Sequence, residues 1–291
     1  MKNIIETKNL TKYYSRGKVL GIKNINLQIK EGEVFGFLGP NGAGKSTTIR
    51  LLLDLIRPTS GSAKIFGLDV NKNITEIKKD IGYLPGDIYL PENMTGIECI
   101  NYYKNFKKKV TKKHVNELIK KLDLDTKKSI KTYSKGNKQK LAIILAIMHQ
   151  PKLLIFDEPT TSLDPLNQQT FYNLIHEMKK NGTTIFLSTH ILSEADKICE
   201  RIGIIKEGFL QEVRKVEDFR KTNIRKIVLE IKKKLPFKTL GIKDFEKTRN
   251  GYRITISGKN GDIIKKLSKY DIEDIKIEEP TLEEIFMHYY E

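Results

Sequence analysis

The sequence predicts an α/β fold in which a parallel sheet alternates with helices, followed by a small α+β region. Three continuous apolar segments, at residues 34–39, 152–159 and 184–190, are typical of strands buried on both faces of a parallel sheet. Helical patterns follow the first of these strands and precede the second, and this alternation is characteristic of α/β proteins. The 291 residues leave room for one large domain or two.

The first 60 residues indicate a strand-rich region and then a strand, a loop and a helix. Residues 4–29 have the pattern of short strands joined by a turn at 15–17. The buried strand at 34–39 leads into a glycine-rich turn and a helical pattern that starts near Lys45.

The middle of the chain predicts helices. Apolar residues between about Asn93 and Leu124 recur at the spacing of one helix face, so we expect this region to be helical. A second apolar pattern, at 141–149, predicts a helix directly before the strand at 152–159.

The composition changes at about Glu217, where the chain becomes charged and strand-like. Asn250-Gly251 is typical of a hairpin turn, and a helical segment at 261–270 and a last segment at 281–291 follow. We therefore expect a first domain over residues 1–216 and a small accessory α+β domain over 217–291. Two interpretations of the accessory domain stay open: a regulatory or dimer-contact module, or an appendage that covers a sheet edge.

Cysteine usage and hydropathy indicate a packed protein of the cytoplasm. The two cysteines, Cys99 and Cys199, match neither a disulfide framework nor a four-ligand zinc site, so we expect reduced, buried thiols. The longest apolar run, 141–148, is far shorter than the about 20 residues that span a bilayer. The N-terminus lacks the apolar region of a secretory signal. Any role at a membrane is therefore expected to be peripheral.

The formal charge of +17 is concentrated in one region. Residues 104–140 contain 14 lysines and three acidic residues, which gives +11 of the +17. Three explanations of this excess stay open. One is a coding bias toward Lys, Ile and Asn, and another is attraction to an anionic inner leaflet or to an acidic cytoplasmic loop of a partner. The third is binding to nucleic acid.

The glycine-rich turn predicts a phosphate site. The pattern G-x-x-x-x-G-K-[ST] is matched by Gly39, Pro40, Asn41, Gly42, Ala43, Gly44, Lys45 and Ser46, and Thr47 follows directly. Glycines let backbone N–H groups face phosphate oxygens, and the helix that follows directs its positive end at them. Lys45 adds a mobile charge, and Ser46 supplies a hydroxyl ligand for Mg²⁺.

Two adjacent carboxylates at the end of the second buried strand predict the rest of the site. Asp157 is expected to hold Mg²⁺ through water, and Glu158 to polarise the attacking water. His190 ends the strand at 184–190, which places its imidazole within reach of a terminal phosphate.

Four further features narrow the class of protein. Ser134-Lys135-Gly136-Asn137 precedes the apolar helix, and Ser162-Leu163-Asp164 follows the acidic pair. Tyr14 stands 31 residues before Lys45, and His190 stands 32 residues after Glu158. In this order the motifs resemble the nucleotide-binding subunit of ABC transporters over about residues 3–210.

The resemblance implies a fold and a mechanism. It implies an ABC-type P-loop NTPase with an N-terminal antiparallel β-subdomain and a helical insertion at about 88–140. The implied cofactors are ATP and Mg²⁺, and two copies sandwich two ATP molecules. The implied roles are adenine stacking by Tyr14, phosphate wrapping by Gly39 to Thr48, Mg²⁺ binding by Asp157, catalysis by Glu158, His190 and Asp164, and contacts in trans from Ser134 and Gly136.

Two positions depart from the family pattern. The signature is usually LSGGQ and here reads YSKGN at 133–137, so Lys135 replaces the first glycine. The loop at 81–87 has Gly86 after the proline, where the family has a glutamine that contacts Mg²⁺ and the attacking water. We expect Asp87 to replace this glutamine as a contact to the metal. The other interpretation is that the loop acts through its backbone alone.

The leading hypothesis is the ATPase subunit of an ABC-2 type exporter with a separate membrane permease. The resemblance, including PTLEEIF at 280–286, is to subunits that power export of bacitracin-like peptide antibiotics, other drugs or sodium. The implied assembly is a homodimer or a pair with a second ATPase subunit, bound through the permease at the inner face of the cell membrane.

Two other hypotheses come from different classes. A soluble ABC ATPase acting on ribosomes or nucleic acid would explain the positive charge. A single phosphate loop and the lack of sustained heptads count against it, so no nucleic acid is expected. A regulatory or sensory ATPase without transport is the third hypothesis.

Overall fold

The computed structural model describes residues 2–220, 224–232, 235–237, 242, 244–257 and 260–278. The chain divides into two compact units, Met1–Arg214 and Lys215–Glu291.

The first unit contains eleven strands among its described residues, and the α/β class predicted from the sequence is confirmed. The strands are β1 (Asn3–Tyr14), β2 (Val19–Ile25), β3 (Gln28–Lys30), β4 (Val34–Leu38), β5 (Ser60–Ile65), β6 (Leu68–Asp69), β7 (Ile81–Leu84), β8 (Leu153–Asp157), β9 (Thr184–Thr189), β10 (Arg201–Lys206) and β11 (Phe209–Lys215).

These strands form two sheets. The antiparallel N-terminal sheet has the order β2-β1-β5-β6, with β3 also paired to β1. The second sheet has the order β11-β10-β4-β9-β8-β7, and its strands from β10 to β7 are parallel. Parallel strands present their carboxyl ends at one edge, so the residues that follow β4, β8 and β9 come together there.

The core of the parallel sheet depends on aromatic packing between neighbouring strands. Every residue of β4, β8 and β9 is buried. Phe186 on β9 lies opposite Phe35 on β4 in the ladder, with ring centroids 6.0 Å apart and planes within 5°. The Phe186 ring also packs against the Phe37 ring, with the two centroids 5.5 Å apart. This packing fixes β4 against β9 directly below the site.

Seven helices complete the described part of the first unit. They are α1 (Lys45–Leu52), α2 (Val70–Ile77), α3 (Gly96–Lys104), α4 (Lys112–Lys121), α5 (Lys135–Ile147), α6 (Pro165–Lys180) and α7 (Leu192–Ile198). Among the described residues, none of the helices is both long and apolar enough to cross a membrane.

The region expected to be helical from Asn93 to Leu124 is two helices, α3 and α4, with a break at 105–111. Each begins at its own threonine cap. Thr95 forms a reciprocal capping box with Glu98, and Thr111 accepts from the His114 N–H. Such caps satisfy free N–H groups and define a helix start, which the apolar spacing alone does not show.

The second unit has its own sheet and core. Its helices are α8 (Val216–Arg220) and α9 (Asn260–Leu267), and its strands are β12 (Ile224–Glu230), β13 (Asp244–Lys247), β14 (Gly251–Ser257) and β15 (Asp274–Glu278). The antiparallel order is β13-β14-β12-β15. The hairpin expected at Asn250-Gly251 joins β13 to β14. The segment at 281–291 lies outside the described residues.

Both cysteines are free and buried, as expected. Burial raises the pKa of the Cys99 thiol to about 11 and that of Cys199 well above its usual range. Thiolates form little at neutral pH under these conditions, so neither cysteine is a reactive nucleophile.

Replacing Phe186 by Ala is expected to lower the free energy of unfolding by about 3–5 kcal/mol, because it leaves a cavity between buried rings. Urea denaturation measures this change. Phe209→Ala serves as the control, since that side chain is 41% exposed and its loss is expected to cost far less. Equal effects of the two substitutions would contradict the assigned core.

Candidate functional site

The glycine-rich turn connects the end of β4 to the start of α1. Gly42 and Gly44 have φ of 80° and 109°, values that favour glycine. At Gly44 an added Cβ would lie 2.6 Å from the Ile22 side chain and 2.8 Å from the Gly21 carbonyl oxygen. The turn therefore needs glycine here, and its N–H groups precede the positive end of α1.

Lys45 places a buried cation at this turn. Its Nζ donates to the carbonyl oxygens of Gly39 at 2.7 Å and Pro40 at 3.1 Å. The same Nζ lies 3.1 Å from Glu158 Oε1. A buried ammonium requires such partners because removal from water is costly. The helix end and Lys45 together form an electropositive cradle suited to an anion.

Glu158 connects the phosphate turn to the end of β9. Its Oε1 faces Lys45, and its Oε2 lies 2.6 Å from His190 Nδ1. Its backbone has a φ of 51°, so the chain turns sharply after β8. The Gly39 N–H also donates to the Thr189 carbonyl. The structure thus brings Lys45, Glu158 and His190 together.

Asp157 is held by the neighbouring strand. The Ser188 hydroxyl donates a hydrogen bond to Asp157 Oδ1. The same hydroxyl oxygen accepts a hydrogen bond from the Glu158 backbone N–H at 3.2 Å. Ser188 therefore fixes both members of the acidic pair, although the sequence motifs did not single it out.

Asp157 and Ser46 line a shared cavity of about 600 Å³. A carboxylate and a hydroxyl are hard oxygen donors, which Mg²⁺ prefers. Among the described residues, no group of three or more His, Cys, Asp or Glu side chains is arranged to hold a metal ion by itself. Magnesium at phosphate sites usually takes one or two protein ligands and completes its shell with phosphate and water. The residues present fit a magnesium ion that arrives with a nucleotide.

Gly86 leaves space directly beside Asp157. A Cβ added at Gly86 would lie 3.5 Å from Asp157 Oδ2, an ordinary contact distance. Asp87 is exposed and lines the same cavity. The structure therefore places Asp87 at the cavity that Ser46 and Asp157 line.

The lining of this cavity also includes Arg50, Tyr83 and Gln139, which the sequence motifs did not single out. Burial, with Asp157 nearby, raises the pKa of Tyr83 to about 12, so its hydroxyl stays protonated. Gln139 is buried and donates to the Pro159 carbonyl at 2.6 Å, which ties α5 to the turn after Glu158. The sequence signal that could have identified Tyr83 is its place in the strand directly before Pro85.

Tyr14 stands over the start of α1. Its hydroxyl lies 3.2 Å from Thr47 Oγ1, and its ring would meet a Cβ added at Gly21. The structure therefore places Tyr14 beside the phosphate turn. Thr48, expected to wrap the phosphates, is fully buried and its hydroxyl donates to the Gly44 carbonyl. Its side chain stabilises the first turn of α1 instead.

The signature residues lie at the start of α5. Ser134 caps the helix by accepting from the Asn137 N–H at 3.2 Å, and Ser134 and Lys135 are exposed. A Cβ added at Gly136 would lie 3.2 Å from the Ser162 carbonyl oxygen. Among the described contacts, none joins Ser134 or Gly136 to Lys45 or Glu158.

Asp164 caps α6 and shapes the loop beside the signature. It accepts from the Asn167 backbone at 2.9 Å and side chain at 2.6 Å. These hydrogen bonds hold the pKa of Asp164 below its usual range. These hydrogen bonds fix the start of α6, directly after the loop that carries Ser162.

Comparisons with known proteins agree with this geometry. A family model described as "ABC transporter" matches residues 22–161. A second model, described as "ATP-binding protein DrrA1-3-like, C-terminal domain", matches residues 208–290. The bacitracin transport ATP-binding protein BcrA of Bacillus licheniformis is 36% identical over 99% of this chain and 97% of that protein.

Two further relatives extend the comparison. BcrA of Enterococcus faecalis is 37% identical over 77% of this chain and 73% of that protein. A dimeric structure of a post-hydrolysis state of the ATP-binding cassette MJ0796, bound to ADP and Pi, is 29% identical with a TM-score of 0.67. That alignment covers 73% of this chain and 98% of the cassette.

Replacing Ser188 by Ala is expected to lower the free energy of unfolding by about 1–3 kcal/mol, because it removes the hydroxyl that donates to the buried Asp157 carboxylate. Ser193→Ala is the control, since Ser193 is exposed on α7. Urea denaturation compares the two variants. Wild-type stability in Ser188→Ala would show that Asp157 does not depend on this hydroxyl.

Proposed function

The chain belongs to the ABC transporter ATP-binding family, and we propose that it drives an ABC-2 type exporter through a separate membrane permease. It is an ABC ATPase related to the ATPases of bacitracin transport, which confirms the family predicted from the motifs. The proposal includes a peptide antibiotic, a drug or another small molecule as the exported substrate. It is supported by a transport ATPase as a relative over nearly the whole chain.

The observation that carries the mechanism is Glu158 between Lys45 and His190. We assign the turn at 39–47 to the phosphates of ATP and Tyr14 to the adenine ring. Ser46 and Asp157, with Asp87 nearby, would hold Mg²⁺, which supplies neutralisation of phosphate charge when bound. Lys45 then contacts the terminal phosphate.

Glu158 is the residue that accepts the proton of the attacking water. The hydrogen bond to Glu158 Oε2 needs a hydrogen on His190 Nδ1. That contact orients the carboxylate, and the other imidazole nitrogen, when it also carries a hydrogen, can donate to the terminal phosphate. Positioning and charge stabilisation supply most of the rate in phosphoryl transfer.

Two ATPase subunits complete the site. The exposed start of α5 carries Ser134, Gly136 and free N–H groups at the positive end of a helix. These groups suit an anion, and the described contacts bring them to no phosphate turn in the same chain. We infer that they contact ATP bound to a second ATPase subunit, either another copy or a related chain. The dimeric cassette relative supports this assembly.

A groove of about 350 Å³ supports the proposed permease contact. It lies between the segment that follows β7 and helices α3 and α5, and Pro85, Tyr89, Tyr103 and Leu145 contribute to its lining. Tyr89 is 89% exposed. Exposed aromatic side chains beside an apolar groove suit a short helix of a partner. Such a contact would hold the chain at the inner face of the cell membrane and couple it to the Asp87 loop.

The competing functions fit the comparisons less well. A match to a transport ATPase over 99% of the chain favours transport over a soluble ATPase that acts on ribosomes or nucleic acid. It also favours transport over a regulatory ATPase. The match at 208–290 supports an accessory domain at about 217–291.

Replacing Glu158 by Gln is expected to slow hydrolysis by about 10²-fold or more, because the proton acceptor is lost. With ATP and Mg²⁺ the variant is expected to accumulate as a dimer that retains ATP, measured by size-exclusion chromatography and nucleotide analysis. Glu177→Gln is the control, an exposed acid on α6. Persistent monomers at saturating ATP would contradict the sandwich.

Replacing Tyr14 by Ala is expected to raise the Kd for ATP about tenfold, since base stacking contributes about 1–3 kcal/mol. Tyr14→Phe keeps the ring and is expected to bind ATP like the wild type, although it loses the Thr47 contact. Calorimetry with ATP and with tripolyphosphate distinguishes stacking from phosphate binding. Equal losses for both ligands in Tyr14→Ala would contradict adenine stacking.

Replacing Asp87 by Asn is expected to lower kcat about tenfold or more and to raise the Mg²⁺ concentration needed for half activity. The double variant Gly86→Gln/Asp87→Asn is expected to recover activity, because position 86 directs a side chain toward Asp157. Steady-state hydrolysis against Mg²⁺ measures both effects. Full activity in Asp87→Asn would show that the loop works without this carboxylate.

A further inference from the structure

The segment from Tyr102 to Lys113 concentrates positive charge on the surface. Its sequence, YYKNFKKKVTKK, has six lysines, no acidic residue and no arginine. We call residues 102–113 the basic segment. All of its lysines except Lys107 are exposed. Among the described residues, no acidic group lies within ion-pair distance of these lysines, whereas Lys121, Lys128 and Lys138 nearby are paired.

Two aromatic rings project from the same segment. Phe106 is 68% exposed and Tyr102 is 48% exposed. Their ring centroids lie 5.2 Å apart in an edge-to-face arrangement. The Phe106 N–H donates to the Tyr103 carbonyl at 3.1 Å, which fixes its backbone at the end of α3. The groove beside α3 is lined by Tyr103 and Lys107, and neither Tyr102 nor Phe106 contributes to it.

Lys107 anchors the segment to the body of the unit. Its Nζ donates to the carbonyl oxygens of Lys78 and Ile81, each at 3.2 Å. Burial lowers the pKa of Lys107 below its usual value. The remaining lysines and the two rings are therefore presented from a fixed backbone.

The placement of Lys112 and Lys113 opposes helix stability. They occupy the first turn of α4, which has no acidic residue. Positive charge at a helix N-terminus is unfavourable because the helix dipole has its positive end there. The exposed lysines of this segment thus have no ion-pair partner among the residues that the structure describes, and they suit an external anion.

We propose that the basic segment binds directly to an anionic lipid surface, with Phe106 and Tyr102 at the headgroup level and the exposed lysines on lipid phosphates. Lysines with aromatic rings favour the membrane interface, because the rings leave water while the ammonium groups reach the headgroups. Each lysine near an anionic leaflet adds to the attraction. This contact is additional to the permease groove.

The chemistry of the segment favours lipid over a structured polyanion. Recognition of carboxylates or nucleic acid with fixed geometry usually uses the planar guanidinium of arginine, and the segment has none. Lysine acts as a mobile point charge on a flexible stem. The two rings project outward, which suits a deformable surface.

Fluorescence tests the position of Phe106 directly, because the protein contains no tryptophan. The Phe106→Trp variant of the full chain is expected to shift its emission to the blue when phosphatidylcholine vesicles with phosphatidylglycerol are added. Brominated lipids are expected to quench it. Phe209→Trp, at another exposed aromatic position, is the control and is expected to show neither change. Absence of both changes in Phe106→Trp would overturn insertion of the ring.

Vesicle flotation tests the charge. The wild-type chain is expected to float with anionic vesicles and not with pure phosphatidylcholine, and binding is expected to weaken with salt. Lys108→Glu/Lys109→Glu is expected to lower the partition coefficient about tenfold or more. Lys265→Glu/Lys266→Glu changes the charge equally on α9 and is expected to bind like the wild type.

Equal binding by both double variants would overturn the assignment to this segment. Failure of the wild type to float with anionic vesicles at low salt would overturn lipid binding, and tight binding to duplex DNA instead would indicate a nucleic-acid surface. ATP hydrolysis without vesicles is expected to be unchanged in Lys108→Glu/Lys109→Glu. A loss of vesicle binding in this variant therefore tests the lipid contact separately from the proposed catalytic mechanism.

Discussion

The ion pair between the buried Lys45 and Glu158 is the interaction on which the site depends. An ammonium group inside a protein must be surrounded by acceptors, and here the Gly39 and Pro40 carbonyls and the Glu158 carboxylate provide them. This requirement joins the turn after β4 to the end of β8. His190 on the other side of the carboxylate adds the end of β9. A terminal phosphate would enter among groups that the fold already holds in place.

The parallel sheet makes this convergence possible. Its strands β4, β9 and β8 are neighbours, so three chain segments distant in sequence end at one edge. Ser188 on β9 hydrogen-bonds both Asp157 and Glu158 at the end of β8. Phe186 on β9 packs against Phe35 and Phe37 on β4 beneath them. The signature at the start of α5 instead faces solvent with Ser134 and Lys135 exposed. In the proposed assembly, a nucleotide that binds Lys45 would receive these contacts from a second subunit.

Much of the fold and the site could be predicted from the sequence, because strand-end motifs are local. The phosphate turn, Asp157, Glu158 and His190 each follow a buried strand whose apolar pattern is clear. Tyr83, Gln139 and Ser188 were missed, because a single polar residue among apolar neighbours reveals its direction only once the strands are paired. Two other features, the role of Thr48 and the strand β15, were also not predicted, because they depend on a short-range hydrogen bond and on strand pairing. Thr48 turns toward the Gly44 carbonyl, and β15 (DIKIE) alternates charged residues with isoleucine and was not recognised as a strand.

The central claim is that one chain supplies Lys45 and another supplies the signature to the same ATP. A mixing experiment tests it most directly, with Lys45→Ala and Gly136→Asp as the two variants. Each alone is expected to lack ATPase activity, because every site in its homodimer has one defective half. An equal mixture is expected to regain about a quarter of the wild-type activity, since half of the dimers are mixed and each has one intact site. A mixture as inactive as the separate variants would contradict a shared site.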